Sequence, residues 1–160
     1  MMPEENYLNI LEQSLDKKLG ILQQIRIKNE QQRVLLLDEE LGPDEFEENM
    51  EAKGVLVEKL ELLDNGFEEI YERIRHQLQS DKGRYREQIR RLQERIRQVT
   101  AESSSIQAEE QRNYKLAQKK FSDVKKQIRE VKASYKAVNQ YYRSMTNTNY
   151  VDAQFMDHKN

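Results

Sequence analysis

Apolar residues recur along the first third of the chain in steps of three and four: Leu8, Leu11, Leu15, Leu22, Ile25 and Leu36, with Lys18 or Leu19 between Leu15 and Leu22. That stepping is one face of a helix and predicts a first helix over about 4–37. Asn29 and Gln32 fall on the same stripe and weaken its second half. A polar residue on a seam fixes register or pairing at a cost in stability. Gly42-Pro43 ends this helix and opens the next. The glycine can take a left-handed cap, while Pro43 suits a first helical position with Asp44 and Glu45 just inside it.

A second helix is expected over about 44–79, with the seam Phe46, Met50, Lys53, Val57, Leu60, Asp64, Phe67, Tyr71, Ile74, Leu78. Asn65-Gly66 is a turn signal inside it. The heptad phase nevertheless passes unbroken from Leu60 to Phe67, which favours a continuous or kinked helix over a break. Ser80-Asp81-Lys82-Gly83 is the next interruption. Beyond it a single helix is expected over about 84–142, its seam opening with Tyr85, Ile89, Leu92, Ile96, Val99 and Ile106. The stretch from Ala101 to Asn113 is polar, but its Glu, Gln and Ala favour helix and no Gly or Pro interrupts it. The seam then resumes one residue out of step as Tyr114, Ala117, Phe121, Val124, Ile128, Val131, Tyr135, Val138, Tyr142 and Met145. This is the cleanest heptad in the protein. The fold class is therefore all-α: an antiparallel helical hairpin or three-helix coiled-coil bundle with a long C-terminal helix, one domain over 1–146 and a polar tail over 147–160.

A turn near residue 82 sets residue x of the second helix opposite roughly residue 164 − x of the third. Eight acids lie between Asp38 and Glu51 with no base among them. In this register they come level with Lys115, Lys119, Lys120, Lys125 and Lys126. Exposed pairs of that kind stabilise little and mainly support the register. Past residue 120 the other helices have run out, yet the third continues for roughly 22 residues, or about 33 Å. Its seam is then uncovered, and an exposed apolar stripe of that size marks a binding surface. Tyr114, Phe121, Val124, Ile128, Val131, Tyr135, Val138 and Tyr142 are the candidate partner-binding residues. In the alternative, Ser103 to Ser105 forms a turn and a fourth helix folds back to bury the same seam internally.

Composition narrows the chemistry. Five glycines and two prolines in 160 residues fall far below the roughly 12% of average usage, too few for the turns of a sheet-rich fold. With no cysteine, disulfides, thiolate metal sites and cysteine nucleophiles are excluded. The two histidines, His76 and His158, have no partners at metal-ligand spacing; Glu72 and His76 share a helix face but lack the second set that a bundle metal site needs. The glycines are isolated, so no phosphate-cradling loop is present, and Ser103 to Ser105 lack a nearby base. No enzyme, metal or cofactor is expected. The N-terminus is acidic where a signal peptide needs positive charge, and no apolar run exceeds four residues, so a cytoplasmic protein without membrane insertion is expected. Between Lys82 and Arg97 seven bases stand against Glu87 and Glu94. Such a stripe can bind nucleic acid, but no aromatic platform accompanies it and a solvated helix face accounts for it better.

Over its whole length the chain resembles the FlgN-type flagellar export chaperones. The likeness is carried by residues 51–63 (EAKGVLVEKLELL), by Gln111-Arg-Asn-Tyr opening the last amphipathic stretch, by Leu41-Gly42-Pro43-Asp44 as the connection after the first helix, and by a tail with Tyr150, Phe155 and Lys159. It implies a cytoplasmic helical chaperone that holds late flagellar substrates, the hook–filament junction proteins, or contacts the export machinery, with its client site on the last helix. A structural coiled coil that homodimerises through the same seam, and a nucleic-acid binder using the 82–97 stripe, remain as readings from other classes.

Overall fold

The computed structural model describes residues 3–40 and 42–144. Within them the chain forms α1 (Pro3–Leu37), α2 (Pro43–Ser80), α3 (Arg86–Lys120) and α4 (Lys125–Ser144), and no strand. The contacts between helices set their directions. Lys18 meets Asp64 while Lys53 meets Asn29, so α1 and α2 are antiparallel. Arg95 meets Asp16 while Asn113 meets the carbonyl of Asn29, so α3 runs parallel to α1. Tyr114 stacks on Tyr135 across the final turn, and α4 descends beside α3. The result is an up-down-up-down bundle. α1 packs between α2 and α3 on one side and α4 between them on the other, so that α1 and α4 face each other diagonally.

The helical period predicts the buried face of α1 and α2 almost residue by residue. Leu8, Leu11, Leu15, Leu22, Ile25, Asn29, Gln32 and Leu36 are all buried, and Lys18 rather than Leu19 fills the contested position. α2 continues through Asn65-Gly66, and Phe67 and Tyr71 keep the phase of Leu60. Gly42 does not take the left-handed cap. Its φ of −80° and ψ of 144° make it the extended N-cap of α2, with Pro43 opening the helix and Asp44 and Glu45 in the first turn.

The expected single helix over 84–142 is broken. α3 ends at Lys120, the amide of Phe121 still donates to the carbonyl of Ala117, and the chain turns over 121–124 before α4 begins. α3 runs straight through Ser103 to Ser105, so the alternative turn does not form there either, although the fold-back it foresaw does. Burial is the physical reason. A straight helix would leave its best apolar seam in water, whereas turning at 121–124 buries Val131, Val138, Tyr141 and Tyr142, each large apolar side chain contributing about 1.5–3 kcal/mol. The apparent slip of the seam at Tyr114 has the same origin. The face of α3 toward α1 continues in step through Ser103, Ile106, Glu110, Asn113 and Ala117, all buried, while Tyr114 turns toward α4.

The expected α2–α3 register is borne out by Lys53 against Glu110 and by the Phe46 and Phe121 rings at 5.3 Å. The expected pairing of acids with lysines gives no ion pair among the described residues, although Lys126 lies close enough to Glu47 to act on its carboxyl. Lys120 donates to the backbone carbonyl of Asp38, and Lys126 lies near Glu130 of its own helix.

Candidate functional site

The eight candidate residues do not form an exposed stripe. Phe121, Val131, Val138 and Tyr142 are buried, Tyr114, Ile128 and Tyr135 are half-buried, and Val124 alone lies open at the turn. They form the joint between α4 and the rest of the bundle. Phe121 and Val131 join Leu36, Phe46 and Ala117 in a small cluster at the turn end of the bundle. Val138, Tyr141 and Tyr142 reach the main core.

Beneath this joint lies a polar layer. Lys53 Nζ donates to both carboxylate oxygens of Glu110 at 2.8 Å, to Asn29 Oδ1 at 3.0 Å and to Gln32 Oε1 at 3.2 Å. Asn113 Nδ2 donates to the carbonyl of Asn29 at 2.9 Å and to Gln32 Oε1 at 3.1 Å. An ammonium has three protons, and here each has an acceptor. The side chains of Lys53 and Glu110 are only 2% and 7% exposed. Sequence reasoning placed Asn29, Gln32 and Lys53 on seams but missed Glu110, which it read as part of a polar stretch. The available signal was that a lysine on a seam needs an anion, and the register put residue 111 opposite it. A void of about 20 Å³ adjoins the layer below α4, lined by Lys53, Glu110, Tyr114 and Tyr135 among others.

The far end of α4 is held by a latch. Tyr141 donates its hydroxyl to Asp64 Oδ2 at 2.7 Å, and Asp64 Oδ1 also accepts from Lys18 at 2.6 Å. Lys18 Nζ sits 5.7 Å from the centre of the Tyr141 ring. Burial, and then the Asp64 carboxylate, push the Tyr141 hydroxyl far above the usual phenol range, keeping it a donor. The neighbouring Tyr142 hydroxyl is buried and has no hydrogen-bond partner among the described residues, and burial raises it too, with Glu110 and Glu109 adding to the effect. At the other end of α4 the Glu130 carboxylate raises the Glu47 carboxyl across the α2–α4 joint. That is a like-charge contact opposing the docking of α4. Tyr141→Phe should lower stability by about 1.5 kcal/mol, the low end for a hydrogen bond to a charged group, because Asp64 keeps Lys18. Urea unfolding reads this directly, and an unchanged midpoint would mean that the latch holds nothing.

Three bases of the 82–97 stripe form ion pairs within the bundle. Arg95 binds Asp16 at 2.7 Å and Glu12 at 3.0 Å, Arg91 binds Glu12 at 3.2 Å, and Arg90 binds Glu87 at 2.6 Å. Two of these arginines therefore tie α3 to α1 rather than face water freely. Replacing Arg91 and Arg95 with Gln should cost about 0.2–1 kcal/mol per pair, read as a small fall in melting temperature at low salt that vanishes at high salt.

Among the described residues no group of three or more potential ligands is placed to hold a metal ion, and no helix is long and apolar enough to cross a membrane. His158 and the tail residues Tyr150, Phe155 and Lys159, like Met145 on the seam, lie outside the described residues. Comparison with known proteins finds no matching family model, no matching curated protein and no matching solved structure.

Proposed function

We propose that the protein is a non-enzymatic, cytoplasmic helix-binding chaperone in which α4 swings away from α2 and α3 so that an amphipathic client helix can use the seam. One observation carries this reading. The cleanest apolar heptad in the chain crosses the four-residue turn from α3, and its longer part, Ile128 to Tyr142, lies on the shortest helix, 20 residues against 35 or more for the others. At 1.5 Å per residue α4 spans about 30 Å and α2 about 57 Å, so α4 covers only part of the bundle's length. Exchanging α4 for a client helix replaces one apolar face with another. The free energy at stake is the difference between two similar burials, small enough for a client to shift the population. Helix-in-groove recognition through anchors at i, i+3, i+4 and i+7 suits such a seam. The resemblance to FlgN-type export chaperones supplies the client class, late flagellar substrates of the hook–filament junction type.

Co-expression with a hook–filament junction protein tests it. The expected result is a stable complex in which the α4 amides change their hydrogen exchange while α1–α3 keep theirs. Absence of a complex, or a complex with α4 protection untouched, would overturn it.

A further inference from the structure

A second apolar surface lies away from α4. Between the C-terminal half of α1 and the N-terminal half of α2 runs an open groove of about 770 Å³, lined by Ile27, Gln31, Val34, Glu45, Glu48 and Ala52 among others. Ile27 and Val34 are 58% and 56% exposed, and Leu37 and Val55, one turn beyond Val34 and Ala52, are also more than half exposed. These positions are off the seams, so the four-helix core makes no use of them. Asn49 Nδ2 donates to the carbonyl of Lys28 at 3.0 Å and ties the two walls together at the groove.

We propose that this groove docks a positively charged amphipathic helix from a partner protein. Charge decides the occupant. The α2 wall belongs to the segment 38–51, which carries eight acids and no base. Glu45 and Glu48 are exposed, and neither takes part in an ion pair among the described residues. Glu30 is held by Arg33 of its own helix, which leaves Lys28 as the only base lining the groove. Apolar walls with an acidic rim fit a helix that is leucine-rich on one face and flanked by lysine or arginine. The nine residues from Ile27 to Leu35 span about 13 Å, room for two to three turns. A second copy of this chain fits less well. Its outward basic residues on α4 (Lys125, Arg129, Lys132, Lys136) are interspersed with exposed Ala133 and Ala137 and no large apolar side chain, and Arg91 and Arg95 of α3 are already engaged with α1.

The probe is a labelled 14-residue leucine/lysine helix, with a leucine/glutamate helix of identical pattern as control, titrated against the full chain by fluorescence anisotropy. The lysine peptide should bind, with an affinity that falls as salt rises, and the glutamate peptide should not. Ile27→Ser with Val34→Ser should weaken binding about tenfold or more without loss of helix content. Glu45→Gln with Glu48→Gln should weaken it and flatten the salt dependence. Added protection in hydrogen exchange should fall within residues 27–35 and 45–52. Equal binding by the Ser double variant would mean bare charge attraction and would overturn the proposal, as would binding of the glutamate peptide. A wild-type dimer that Val34→Ser dissolves would assign the groove to a second copy instead. Exchange changes confined to α4 would place the peptide in the α4 joint, overturning this site while leaving the chaperone reading intact.

Discussion

Lys53→Met should destabilise the protein by about 3–5 kcal/mol, because it leaves the Glu110 carboxylate buried with no cation. For a domain of this size that corresponds to a fall in melting temperature on the order of 10 °C. The loss reaches beyond one pair, since Asn29 Oδ1 and Gln32 Oε1 also accept from the same ammonium. Adding Glu110→Leu to Lys53→Met should recover most of it, since two buried charges replaced together by apolar groups are often neutral or better. Thermal unfolding of the wild type, the single and the double variant forms the test. A single variant that loses less than about 1 kcal/mol would show that water reaches the carboxylate and screens it.

Val138→Asp should have the second large effect, and a local one. Val138 is 4% exposed at the α4 joint, within the main core. A carboxylate there would lose its hydration, and an unpaired buried charge costs far more than a hydrogen bond returns. The weakest element yields first. α4 is fixed by a few buried side chains, the Tyr141 latch and the Tyr114–Tyr135 stack, while α1–α3 share a longer seam. The expected outcome is an undocked α4 with unprotected amides, a loss of helix no larger than its 20 residues, and a three-helix remainder that still unfolds cooperatively. If instead all four helices lose protection together, α4 is an inseparable part of the core and the release mechanism fails.

Much of the fold was legible in the sequence because the helical period is a local property. Nine α1 positions and ten α2 positions were placed on seams, and the structure buries nearly all of them, with Met50 and Asp64 half-buried. Phase continuity favours an unbroken helix, and α2 does continue through Asn65-Gly66, yet Phe121, Val124, Ile128 and Val131 keep heptad spacing through a real turn at 121–124. Ser122-Asp123 was the only local signal there, and the absence of Gly and Pro concealed it. The same concealment made the candidate site look exposed, since length arithmetic on an unbroken helix leaves its last part with nothing to pack on.

Periodicity, the break near residue 82 and the scarcity of turn residues determined by themselves that this chain is helical, which face of α1 and of α2 is buried, and that α2 and α3 run antiparallel near a constant sum of residue numbers. Only the tertiary structure decided what covers the C-terminal seam, that Glu110 completes the Lys53 layer, and that Ile27 and Val34 are left open beside an acidic wall. The division has a physical cause. Period and propensity act within a few turns of one helix, whereas the partner of a buried charge and the cover over an apolar face depend on which surfaces other helices have already taken.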